Sequence, residues 1–176
     1  MFEATKRRIA HFLIRRKYLR KNTKPISYTN IIRKAQSLFI IMPKQDTDFY
    51  HSMCILKYYQ QNKKIITLFL PEYKYNLIPE KEKFKFISYH PKQITRFYLP
   101  DKKLTDRLAA KEFDVVMDLN RSEDVFYSAV TNIIKSEIRV SFAKNHSDSY
   151  YNLQLANKQS DPETSYSNFL NYLKMF

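Results

Sequence analysis

The residues best suited to chemistry sit in three short loops, each directly after an apolar run. The first loop holds Pro43, Lys44, Gln45, Asp46, Thr47 and Asp48, with His51 one helical turn on. The second holds Asp118, Leu119 and Asn120, followed by Arg121, Ser122, Glu123 and Asp124. The third holds Lys144, Asn145 and His146. A carboxylate beside a histidine can do general acid–base work. The same residues have an ordinary structural use. Asp46, Thr47 and Ser122 suit helix N-caps, and Asp48 or Glu123 complement a helix dipole. His51 equally suits a packed helix position.

Other chemistries are poorly supported. His11, His51, His90 and His146 show no metal-ligand spacing, and the H-E-x-x-H pattern is absent. The single cysteine, Cys54, allows no internal disulfide and no thiolate cluster. Its neighbours in "HSMCILKYY" predict a buried structural thiol. The 176 residues include no glycine, where ordinary usage is about 7%. That excludes Gly-rich phosphate loops, the dinucleotide fingerprint and the G-x-S-x-G nucleophile elbow. No cofactor and no metal are implied. Every left-handed backbone position must fall to a residue with a Cβ. The fourteen tyrosines and thirteen phenylalanines suit a core, since "RFYL" and "FKF" form no RNA-recognition motif.

The net charge of +14 is unevenly spread. Residues 1–34 hold eleven Lys and Arg against Glu3 alone, leaving only +4 for the rest. "ATKRRIAHFLIRRKYLRKN" (4–22) contains no proline and predicts a helix. Ile9, Phe12, Leu13 and Leu19 form its apolar stripe, interrupted by Arg16 and Arg20, while Ile14 and Tyr18 fall on the other side. Three readings compete: a solvated or partly docked terminal helix, a surface for RNA or the ribosome, and a surface for anionic membrane lipid. Arg7, Arg8, Arg15, Arg16, Lys17, Arg20 and Lys21 are the polyanion-binding candidates.

Apolar runs then alternate with helical segments. Strands are expected at 35–43, 64–71, 113–120 and 137–143, and helices at 46–64, 101–111, 121–136 and 160–176. Asp101, directly after Pro100, begins the second helix, Ser122 is the expected cap of the third, and Asp161 with Pro162 opens the last. Residues 72–100 read as short strands and turns, and 149–156 as a short extended segment. This alternation predicts an α/β fold, a three-layer Rossmann-like open sheet that is mainly parallel, with the three loops together on one rim. The expected division is a basic helical arm at 1–34 and one α/β domain at 35–176. No apolar run approaches the ~20 residues of a spanning helix, and the opening residues lack a signal-peptide core. A cytoplasmic location is expected, peripheral at the inner membrane face if the arm meets lipid.

"IIMPKQDTDFYHSMCILKYY" (40–59) resembles the opening strand–loop–helix of the heptosyltransferase-type glycosyltransferases, the family nine enzymes of two-domain GT-B fold. Asp48 falls on that family's loop aspartate, Thr47 replaces its glycine, and His51 falls on a helix position that some members fill with histidine. "FDVVMDLNRSEDVFYSAV" (113–130) and "SEIRVSFAKNHSDSYYNLQL" (136–155) resemble two later segments, with Ser141 in a glycine position. The match spans roughly residues 35–156. The layout also resembles a small uncharacterised bacterial family, mostly from the Bacteroidetes–Chlorobi group. Its members have one such domain, a basic N-terminal helix and an ending like "YSNFLNYLKMF".

In the resembling transferases the C-terminal domain holds most of the nucleotide-sugar donor, and the N-terminal half supplies the acceptor side. The resemblance therefore implies half an active site, with Asp48 in the place of the base and Lys44, His51, Asp118 and Asn120 lining the pocket. Two functions are expected of such a chain. One is a binding or scaffold protein, not catalytic alone, that works through its basic arm. The other is the acceptor-binding half of a two-subunit glycosyltransferase in surface-glycan assembly, which needs a partner protein chain.

Overall fold

The computed structural model describes residues 2–19 and 28–176. Arg20, Lys21 and Lys24 lie outside the described residues. One sheet contains β1 (Ser37–Ile41), β2 (Ile65–Pro71), β3 (Lys85–Tyr89), β4 (Val115–Asp118), β5 (Ile138–Phe142) and β6 (Leu153–Leu155). Its order is β3-β2-β1-β4-β5-β6, and every pairing is parallel. The expected strands are present, and β3 and β6 come from the two segments read as short or extended. The direction of strand addition reverses between β1 and β4, which is where open α/β sheets place ligands.

The helices are α1 (Phe2–Lys17), α2 (Ile31–Lys34), α3 (Asp46–His51), α4 (Met53–Gln61), α5 (Lys102–Ala109), α6 (Val125–Ile133) and α7 (Pro162–Leu173). Side chains alternate across each strand. Leu38, Ile40, Leu68, Met117 and Val140 face α2, α3, α4 and α7. Phe39, Ile41, Phe69 and Val116 face α1, α5 and α6. Cover on both faces explains why the strands read as unbroken apolar runs.

Several local expectations are corrected. The helix read at 46–64 is two helices meeting at Ser52, whose hydroxyl donates to the Phe49 carbonyl at 2.7 Å. The cap of α6 is Asp124, which accepts from the Phe126 N–H at 2.9 Å, and not Ser122. Neither Asp46 nor Thr47 caps α3, whose N-cap position is Gln45. Asp101 and Asp161 cap α5 and α7 as expected. Cys54 is exposed, not buried, because the buried face of α4 is Ile55, Leu56 and Tyr59.

Helix α1 is docked, not free. Ala10 and Ile14 are fully buried in the α5/α6 layer, while Ile9 and Phe12, two members of the expected stripe, are 40% and 60% exposed. Turning the other face inward places the small Ala10 at the contact and leaves Arg16 in water. The Tyr98 hydroxyl donates to Glu3 and fixes the start of the helix.

With no glycine, the left-handed positions among the described residues fall to Asn30, Lys63, Glu80, Tyr98 and His146, with φ of 48–58°. Lys63 follows the C-cap of α4. Its N–H donates to the Gln60 carbonyl and the Lys64 N–H to the Tyr59 carbonyl, a helix ending at which glycine is the usual residue.

At the opposite end of the sheet, Asp114 joins β1 to β4. Its Oδ2 accepts from the Gln36 N–H, the Ser37 N–H and the Ser37 hydroxyl at 2.8, 2.9 and 3.0 Å. The bonds from Ser37 and Gln36 hold its carboxyl below the ordinary value. A folded value below the unfolded one stabilises the protein above the unfolded value, near 4, and loses that stabilisation as pH falls through the folded one. We expect Asp114→Asn to lower stability at pH 7 and to flatten this part of the acid limb. Urea titrations from neutral pH to below 3 check it; an unchanged limb counts against the strand-joining role.

Candidate functional site

The carboxyl ends of β1, β4 and β5 bring the three candidate loops onto one rim, as the topology requires. Its centre is Asp118, fully buried at the end of β4. Asp118 Oδ2 accepts from Lys144 Nζ and from the Tyr151 hydroxyl, each at 2.6 Å. Its Oδ1 accepts from the Asn120 N–H at 3.0 Å and from Asn120 Nδ2 at 2.7 Å. Burial pushes the Tyr151 phenol well up and the Asp118 charge adds to this, so the hydroxyl remains a donor. Asn120 Oδ1 accepts from the Lys44 N–H at 2.9 Å. Asp118 and Asn120 therefore clamp the loop after β1. Both are at most 6% exposed, so their polar atoms serve the fold instead of lining an open pocket.

Asp48 is likewise engaged. It is 4% exposed, and its Oδ1 accepts from Arg121 Nε at 2.9 Å and pairs with a terminal nitrogen of the same guanidinium at 2.8 Å. Arg121 also donates to the Ser160 carbonyl at 2.9 Å, tying the β4 loop to the start of α7. His51 is half-exposed at the end of α3, three residues after Asp48, and its charge acts on Asp161. The Lys44 side chain points outward, its Nζ 3.9 Å from Asp124. Burial pushes the Asp124 carboxyl up, opposed by the Phe126 N–H and the Lys44 ammonium. Asp48, Asp118 and Asn120 thus have little access to a substrate.

Three residues that shape the rim escaped sequence reading. Lys74 is 1% exposed; its Nζ donates to the Lys44 carbonyl at 2.6 Å and pairs with Asp46 at 2.8 Å. Tyr151 completes the Asp118 cluster. His11 comes from α1 to meet His146, their ring centroids 4.6 Å apart. His11 Nε2 and His146 Nδ1 both contact Glu123 Oε1, at 3.2 and 2.9 Å. Partial burial is the main cause that lowers the His11 imidazole from its ordinary value, and the Glu123 charge opposes it.

Two clefts open elsewhere. One of about 810 Å³ lies between α4 and the 79–84 turn, with Cys54, Lys57 and Phe84 on its walls. Another, about 680 Å³, lies at the amino ends of β1, β4 and β5, beside Asp114. Arg7, Arg8, Arg15, Arg16 and Lys17 are all exposed on α1. Arg20 and Lys21, the other two polyanion-binding candidates, lie outside the described residues. Among the described residues, no helix is long and apolar enough to cross a membrane.

This sheet order with helices on both faces defines a Rossmann-like α/β fold. A glycosyl transferase of family 9 from Veillonella parvula DSM 2008 superposes with a TM-score of 0.61 at 11% identity, over 88% of this chain and 44% of that one. The likeness is one of fold, and this chain spans less than half of that structure. No curated protein matches the sequence. The chain belongs to the family of unknown function DUF6913, which matches residues 11–176.

Proposed function

We propose that this glycosyltransferase-like half-domain is a binding protein, not catalytic alone, that presents α1 to an anionic membrane surface. The observation that carries this reading is the outward face of α1. With Ala10 and Ile14 turned inward, Arg8, Ile9, Phe12 and Arg16 share the opposite side. Exposed apolar residues flanked by arginines suit the lipid interface: the Ile9 and Phe12 side chains enter the headgroup region while the guanidinium groups stay at phosphate level. RNA would use the same charges but has no comparable need for Ile9. The alternative, an acceptor-binding half of a two-subunit transferase with Asp48 as base, has against it the burial of Asp48 and its pairing with Arg121.

Flotation with vesicles tests the proposal. Vesicles containing an anionic phospholipid should carry the protein up, and neutral phosphatidylcholine vesicles should not. Each arginine near such a surface contributes ~1 kcal/mol, roughly fivefold in affinity. Arg8→Glu with Arg16→Glu should therefore abolish flotation, and Phe12→Ser should weaken it at equal charge, while Asp48→Asn should leave it unchanged. Equal flotation of the reversed variant, or binding to RNA but not to vesicles, overturns the reading.

A further inference from the structure

We propose that His11, Glu123 and His146 form a binding site for a divalent transition-metal ion of the zinc class, one that fastens α1 to the carboxyl rim. The three residues come from three places: the middle of α1, the loop after β4 and the loop after β5. One ligand atom from each lies within 4.8 Å of the others. Two imidazoles and a carboxylate are a donor set zinc accepts, with bonds of ~2.0–2.2 Å, which puts neighbouring donors about 3.3 Å apart in a tetrahedron. The contacts of His11 and His146 with Glu123 Oε1, at 3.2 and 2.9 Å, are already near that spacing.

The surroundings support the same assignment. A metal on His11 Nε2 requires the proton on Nδ1, and Nδ1 lies 2.6 Å from the Tyr150 hydroxyl, an outer partner that fixes ring orientation. His11 and Glu123 side chains are only 12% and 17% exposed, while His146 is 51% exposed and leaves a path for entry. His146 also occupies a left-handed backbone conformation, φ 57°, which a residue with a Cβ adopts at a cost and which recurs at functional sites. Three protein donors leave a fourth position for water or an external ligand. Arg7 and Arg15 lie close enough to His11 to oppose a cation, so affinity must come from the donors themselves.

The test uses the full chain, stripped with a chelator and titrated with Co²⁺ and then Zn²⁺. We expect cobalt to give the visible d–d absorption of a low-coordinate nitrogen–oxygen site and stoichiometric zinc to displace it. Zinc at ~100 times its Kd should raise the Tm by ~5–10 °C. His146→Asn keeps a residue that tolerates the left-handed backbone. It should weaken zinc by more than the ~10–100-fold that loss of an outer partner costs, and Tyr150→Phe should fall within that range. His51→Ala and His90→Ala should bind as the parent does. A flat cobalt spectrum would show that the three residues form a hydrogen-bonded cluster only, and His146→Asn binding as tightly as the parent would place the ion elsewhere. Either result overturns the proposal.

Discussion

Replacing Lys144 with methionine should destabilise the folded protein by about 3–5 kcal/mol, the cost of breaking a buried ion pair from one side. Lys144 and Asp118 side chains are 5% and 1% exposed, and their charged atoms are 2.6 Å apart. Without the ammonium, Asp118 retains the Tyr151 hydroxyl and the two Asn120 donors, but its charge stays in a dry environment. The Asn120 carbonyl also loses its partner at 3.0 Å. Neutralising the other side, Lys144→Met with Asp118→Asn, should recover a large part of the loss. A urea double-mutant cycle measures the coupling. A single-variant loss below ~1 kcal/mol would mean that the pair behaves as a surface bridge and that the rim is wetter than its geometry indicates.

Lys74→Met should cost about 3 kcal/mol by a different route. The Lys74 ammonium donates to the Lys44 carbonyl and, more weakly, to the Pro43 carbonyl at 3.4 Å, and it stands 4.7 Å over the Phe49 ring. Removing it strands loop carbonyls, at ~1–3 kcal/mol for each group left unsatisfied. Asp46, 78% exposed, is rehydrated at little cost. The damage should therefore be local. Hydrogen exchange should accelerate at residues 45–49, with β4 and β5 protected as before, whereas Lys144→Met should loosen the whole rim. Uniform acceleration across the sheet would refute the local role.

The core strands and the caps Asp101 and Asp161 were legible in the sequence because burial on both faces and an N-terminal hydrogen bond leave local signatures. The three loops were legible as one rim because a parallel sheet puts all its carboxyl ends on one side. The inward face of α1 was not, because a helical wheel weighs Ile9 and Phe12 above Ala10, whereas docking depended on a small residue that lets the helix approach. Lys74 was invisible as well: lysine carries a strong prior for water, and its partners are carbonyls 30 residues away. The His11–His146 pairing spans most of the chain, so no local spacing could announce it. Asp48, Asp118 and Asn120 stood out by residue type, and type does not tell whether a carboxylate faces a substrate or its own fold.

The lack of glycine bears on how this protein can change over time. Among the described residues five left-handed positions carry side chains, and each forgoes roughly 1 kcal/mol relative to glycine, while a whole domain is stable by only about 5–15 kcal/mol. A sizeable part of the margin that absorbs damaging mutations is thus spent on turns. Lys63 and Glu80, exposed and remote from the rim, are where a lineage freed to use glycine could recover robustness first, widening the range of sequences it can explore without unfolding.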